Sequence, residues 1–361
     1  MNTMFIIPFS SLSEQEMAAL AGDKLQTAKE EWEQLIWRFI VDWYDNNTTS
    51  IEVYTSGSTG KPKAIQHTKQ VMAAHARLTC ETLQLPPCVT AWLCLPAHKI
   101  GGMMMLVRGL VNRMDLLCTK PSGSPFSVLE EKHPVVFAAL TPMQLKSAIN
   151  DAELFRKMNC IQTILLGGET ISAELLQHLQ RAENNIYSTF GMTETISHIA
   201  LKKISGTNPN EHYHTLKGIT VSTDERNCLT INAPAFGVHN LVTNDVVEIL
   251  SPTAFNWLGR IDNIINTGGI KVIPEQVEQK LLPFIDAPFF IVGIPDEKTG
   301  ERVALVVEKE TLDNDEKTSL QNCFSVLGKY EVPRTILNTA KFERADNGKV
   351  KRKETMQRFQ T

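Results

Sequence analysis

Residues 54–63 read YTSGSTGKPK, and the way the chain enters and leaves that stretch decides the fold. It is entered from a short β-type run, 51–54, and left into 68–83, where apolar residues recur at helical spacing. A strand that runs into a Gly/Ser/Thr loop and on into a helix is the repeating unit of an α/β protein. Within the loop, Thr55, Ser56, Gly57, Ser58, Thr59, Gly60 and Lys61 combine the groups that wrap a polyphosphate. The glycines allow positive φ and close backbone approach, N–H groups can converge on anionic oxygens, and hydroxyls and an ammonium add donors. It is not the Walker A loop, because Thr55 stands where that motif requires Gly and Pro62 follows Lys61 where it requires Ser or Thr.

Strand and helix patterns alternate outward from the loop. Residues 13–44 form a helical pattern, with Ser13 and Glu16 at capping-box spacing. Strands are expected at 89–95, 134–140, 161–166 and 185–190, and helices at 101–111 and 142–149. Ser172 stands as an N-cap before another helical run. This alternation predicts parallel sheets covered on both faces. From 220 to 250 short strands separated by Asn, Asp and Gly predict an antiparallel patch. Beyond it, Pro274 opens a helix, strands follow at 289–294 and 303–308, and a helix at 315–327. The expected fold class is α/β: a large domain of helix-covered sheets over 1–259, and a small α+β domain over 260–361.

Composition narrows the function. The 361 residues are 42% hydrophobic and 21% charged with net charge −4, so no global basic field recruits nucleic acid or a membrane surface. The seven cysteines form no CxxC pair, which predicts a reducing, cytoplasmic setting. The opening MNTMFIIPFS lacks a basic n-region, and the apolar stretch 92–111 is interrupted by His98, Lys99 and Arg108.

Further motifs follow the loop in order: Gly167, Gly168 and Glu169 after a β run; FGMTE at 190–194; TND at 243–245; GRIDN at 259–263 with NTGG at 266–269; and GKVKR at 348–352. Together with 54–63 they resemble the motif set of the superfamily that contains acyl-CoA synthetases, peptide-synthetase adenylation domains and luciferases, from about residue 51 onward. That resemblance implies ATP, Mg²⁺ and coenzyme A as cofactors and a small-molecule carboxylic acid as substrate. It implies that Thr55 to Lys61 cradle the β- and γ-phosphates, and that Gly168, Glu169 and Phe190 border adenine. Gly191 and Met192, in the same FGMTE segment, would also bind the nucleotide. Thr193 would contact phosphate and Glu194 the metal, and Asp245 and Arg260 would take the ribose hydroxyls. Asp262 would be the hinge, Gly268 and Gly269 would serve the coenzyme A step, and Lys349 would bridge the carboxylate and the α-phosphate. Phe190 replaces the family's Tyr and keeps the stacking face. Asn244 replaces Gly in TGD, and both tolerate the turn.

The early loop and the shortened lead before it resemble the o-succinylbenzoate–CoA ligases of bacterial menaquinone synthesis. Residues 93–110, LCLPAHKIGGMMMLVRGL, stand in the place of the superfamily's LPLxHxxG, with Lys99 where His is usual. A diacid leaves one carboxylate in need of a cationic or polar partner, and Lys99, Arg108, Ser197 and His198 are the candidates. The same chemistry on another small aromatic or aliphatic acid is an alternative. A non-catalytic nucleotide-binding relative is a second one, against which the retention of both Glu194 and Lys349 weighs.

Overall fold

Strands Asp115–Thr119, Thr90–Leu93, Phe137–Leu140, Thr163–Leu166 and Asn185–Gly191 lie side by side in that order, all parallel. Their sequences, such as TAWL, FAAL and TILL, are continuous apolar runs, as strands buried on both faces require. This is a computed structural model that describes residues 4–54, 63–130, 134–168, 171, 173–344 and 350–359. One compact unit gathers Met1–Ile171, Leu175–Thr220 and Asn232–His239, and a second gathers Ser172–Glu174, Val221–Ile231 and Asn240–Thr361. The α/β class expected from the sequence holds.

In the first unit the parallel strands are flanked by antiparallel ones. Met4–Ile7 pairs with Asp115–Thr119 on one side, and His198–Lys203 pairs with Asn185–Gly191 on the other. Trp92 anchors the core: its Nε1–H donates to Thr119 Oγ1 at 3.0 Å, and its ring meets Phe126 edge-on at 5.3 Å. That satisfies the one polar atom a buried indole brings.

Two departures concern elements next to the site. The pattern over 13–44 is two helices, Glu14–Thr27 and Glu31–Tyr44; Ser13 caps the first in the expected capping box. Ala28 ends the first helix in an extended conformation, and no Gly or Pro marks the break. Packing sets it, since each helix buries its own stripe, Met17 and Ala21 on one, Ile36, Trp37, Phe39 and Ile40 on the other. After the Gly/Ser/Thr loop comes a strand, Ala64–Thr68, antiparallel to Ser50–Tyr54, with Tyr54 opposite Ala64. Thr68 then caps helix Lys69–Thr82, its Oγ1 accepting from Val71 N at 3.3 Å.

In the second unit, Val238–Ser251 and Ala254–Arg260 pair antiparallel, as expected for that region. A separate sheet runs Ile270–Val272, Ile265–Thr267, Gly300–Glu308, Phe289–Asp296, with Thr335–Thr339 added parallel to Gly300–Glu308. Helix Pro274–Leu281 buries Val277 and Leu281 among Ile265, Ile291, Val303 and Leu305. Among the described residues no helix is long and apolar enough to cross a membrane.

Candidate active site

The FGMTE stretch is a turn forced by one close approach. Strand Asn185–Gly191 ends where Ser197 and His198 return, and a Cβ on Gly191 would stand 2.3 Å from the Ser197 carbonyl oxygen. Only glycine lets the two strands close there. Thr195, in the single turn Thr193–Thr195, accepts from Met192 N at 3.1 Å, and its hydroxyl lies 2.8 Å from the Ser197 carbonyl oxygen. Ile196, buried and β-branched, is held at φ 69°. A non-glycine residue in that region stores roughly 1–3 kcal/mol of strain, which the surrounding contacts must hold. The turn leaves Glu194 exposed, with no hydrogen bond or ion pair among the described residues. A carboxylate in that state suits a hard divalent cation, which takes oxygen ligands. Thr193 lies beside it, half-buried, and Phe190 meets Tyr213 edge-on at 5.8 Å.

Strand Thr163–Leu166 ends in Gly167, whose Cβ would fall 2.5 Å from Thr189 Oγ1, and Gly168 follows at φ 96°. Of the residues expected to bind the nucleotide, Thr55 to Lys61 and Glu169 lie outside the described residues, as does Lys349. The hairpin that bears the Gly/Ser/Thr loop is described up to Tyr54 and again from Lys63.

Beside the turn lies a buried cation with no anion among the described residues. Arg108, in helix Ile100–Asn112, is 2% exposed; it donates to Ser197 Oγ at 3.3 Å, and its Nε has no partner. No carboxylate pairs with it among the described residues. Burial pulls its pKa down to about 10, which still leaves it charged at neutral pH. From Arg108 the hydrogen bonds run in one direction. Ser197 Oγ–H donates to His198 Nδ1 at 3.3 Å, His198 Nε2–H to Thr79 Oγ1 at 3.4 Å, and Thr79 Oγ1–H to the His75 carbonyl at 3.1 Å. His75 Nε2–H donates to the His198 carbonyl at 2.8 Å, so its Nδ1 is the bare nitrogen, with no partner in any other residue.

The rings of His75 and His198 meet edge-on at 5.3 Å, and His75 packs on Phe236 at 5.1 Å. Burial first, then Arg108, pushes His75 down to about 4; burial, His75 and Arg108 push His198 well below the usual histidine range. The cluster thus holds two neutral imidazoles beside one buried guanidinium whose Nε is unpartnered.

The same shifts give a pH dependence. The unfolded state binds the protons that buried His75 and His198 refuse, so their stabilisation is complete above about pH 6.5 and lost as pH falls toward 4. The melting temperature of the wild type should drop through that window, and His75→Phe, which keeps an aromatic ring, should flatten the drop. An unchanged slope in the variant would remove His75 from the account.

Lys99 is not part of this cluster. It is exposed and precedes the first turn of the helix, more than two turns from Arg108. His75 and Thr79 were not singled out in the sequence, because both sit in the apolar stripe Met72, Ala76, Cys80 of helix Lys69–Thr82. A polar residue on such a stripe carries no motif.

In the second unit Asp245 is buried and opposite Arg260 in the antiparallel pair. Its carboxylate accepts from Trp257 Nε1 at 2.9 Å and faces Arg260 at 3.6 Å. Arg260 also pairs with Asp262 at 2.9 Å, and Asn244 Nδ2 reaches both Asp262 oxygens at 3.3 Å. Trp257 has no role in the sequence reading, and here it fixes the orientation of Asp245. Gly268 and Gly269, at φ 59° and 81°, form the tight connection between Ile265–Thr267 and Ile270–Val272.

A helix-covered parallel sheet, a Gly/Ser/Thr hairpin loop and a free carboxylate on a glycine-dependent turn are the parts of an adenylate-forming ligase. The chain belongs to the AMP-binding enzyme family, whose match spans residues 10–225. It is 24% identical to a 2-succinylbenzoate–CoA ligase of Listeria monocytogenes, over 88% of this chain and 72% of that one. A solved protein of Dyadobacter fermentans, described as acyl-CoA synthetase (AMP-forming)/AMP-acid ligase II-like, is 31% identical; the likeness covers 98% of this chain and 99% of that one, with TM-score 0.63. The fold is also that of the o-succinylbenzoate coenzyme A synthetase of Bacillus subtilis solved with ATP and magnesium ion, at 20% identity, TM-score 0.70, and 95% and 82% coverage.

Proposed function

We propose that this chain joins o-succinylbenzoate to coenzyme A through an acyl-adenylate made from ATP. The observation that carries the choice of acid is Arg108, a buried guanidinium beside Ser197 and His198 with no carboxylate of its own. An unpaired buried charge is costly to keep, and an acid with a second carboxylate supplies the missing partner. Relatives in Listeria monocytogenes, Staphylococcus epidermidis and Bacillus cereus that are 2-succinylbenzoate–CoA ligases support the same acid.

In this reading a part spanning 1–259 holds ATP and the acid, and 260–361 carries Lys349. Thr55, Ser56, Gly57, Ser58, Thr59, Gly60 and Lys61 cradle the β- and γ-phosphates, while Gly168, Glu169 and Phe190 border adenine. Asp245 and Arg260 take the ribose hydroxyls, with Asp245 oriented by Trp257. Mg²⁺ fits the free carboxylate of Glu194 and supplies neutralisation of the phosphate charge when bound. A carboxylate oxygen of the acid bonds to the α-phosphorus, and the bond from that phosphorus to the oxygen of the leaving pyrophosphate breaks. The carboxylate is already deprotonated, so the site needs charge neutralisation and alignment rather than a base; Lys349 bridges both anions. In the second step the coenzyme A thiol gives its proton to solvent, sulfur bonds to the acyl carbon, and the bond from that carbon to the phosphate oxygen of AMP breaks. Asp262 is the proposed hinge between the steps, and Gly268 and Gly269 serve the second.

The test is pyrophosphate release and thioester formation across o-succinylbenzoate, benzoate, succinate and hexanoate. The expected result is ATP- and coenzyme A-dependent thioester with the highest kcat/KM for o-succinylbenzoate. A higher value for a monocarboxylic acid would transfer the reading to that acid. No pyrophosphate from any acid would leave a nucleotide-binding relative.

A further inference from the structure

His67 lies on strand Ala64–Thr68, opposite Ile51 in the hairpin that bears the Gly/Ser/Thr loop. Its imidazole is buried, and Nε2 stands 2.8 Å from the carbonyl oxygen of Thr193, far away in the chain. A carbonyl only accepts, so Nε2 carries the hydrogen and donates it. The bond joins two structures that the sequence motifs treat separately: the hairpin of the phosphate loop and the turn that presents Thr193 and Glu194. That turn needs an external hold, because Ile196 is kept at positive φ and Glu194 makes no bond among the described residues.

We propose that His67 is a positioning residue: its bond to the Thr193 carbonyl holds Glu194 at the distance from the hairpin at which it meets a cation bound to the ATP phosphates. The inference rests on the reading of Glu194 as a metal-holding carboxylate. A packing role predicts that any ring of this size would serve. A positioning role predicts that the donor matters, and only for the metal-bound nucleotide.

Calorimetric titration of the full chain with ATP, once with Mg²⁺ and once with EDTA, separates the two. His67→Phe keeps a ring and removes the donor; it should weaken MgATP binding about fivefold, the worth of one hydrogen bond, and leave binding in EDTA unchanged. His67→Gln, whose amide nitrogen takes the place of Nε2, should restore the wild-type value. Equal losses with and without Mg²⁺, or a Gln variant no better than Phe, would overturn the proposal. A wild type that binds MgATP yet releases no pyrophosphate from any acid would instead sink the ligase reading and leave the His67 comparison standing.

Discussion

Arg108→Met should produce a protein that melts higher than the wild type and has lost at least about thirtyfold in kcat/KM for o-succinylbenzoate. Both effects have one cause. Without ligand, Arg108 is a buried charge with one hydrogen bond, to Ser197, and no carboxylate among the described residues. An apolar side chain of similar length removes that desolvation cost and stabilises the fold by about 1 kcal/mol or more. With a diacid bound, the same change leaves the buried second carboxylate without its cation, which costs about 2–5 kcal/mol. Turnover of benzoate, which has no second carboxylate, should change little. Arg108→Lys should fall between, because an ammonium keeps the charge and loses the planar fork. Equal losses on the diacid and on benzoate would place Arg108 in the architecture rather than in recognition.

Lys349→Ala should slow adenylation by about a hundredfold or more, the usual effect of losing one preorganised donor at a developing charge. Adenylation is read as pyrophosphate release or acid-dependent exchange of pyrophosphate into ATP. Thioester formation from chemically made acyl-AMP should survive if, as proposed, the second step relies on Gly268 and Gly269 in place of the lysine. A variant that loses both steps equally would refute the division of labour between the two steps.

The motifs at Gly167–Gly168, Gly191 and Gly268–Gly269 carried much of the class of protein because their backbone is one that only glycine readily allows. Gly191 must be glycine for Ser197 to pass within reach, and that requirement is legible from composition at a turn. The strands expected at 161–166 and 185–190 were legible, the first as an apolar run and the second from the glycine turn that ends it. Asp115–Thr119 was not, although it lies second in the sheet: DLLCT follows a helix ended by Arg113 in a left-handed conformation, with no Gly to announce the stop. Thr335–Thr339 was missed because its strand identity comes from a distant partner, Gly300–Glu308, rather than from its own pattern. In the site, Arg108 and Lys99 looked alike as cations within an apolar stretch. The three-dimensional helix separates them, burying one beside His198 and leaving the other in solvent. His67, His75, Thr79 and Trp257 act through single contacts with residues far along the chain, and such contacts leave no local mark.

The antiparallel strand Met4–Ile7 has a practical side for anyone handling the protein. Its four residues cover the outer hydrogen-bonding edge of Asp115–Thr119, whose Leu116, Leu117 and Cys118 are fully buried. An uncovered edge of that kind invites pairing with another molecule. Tags and fusions ahead of Met4 therefore need a spacer long enough to leave this strand seated, because unseating or trimming it would open that edge to a second molecule.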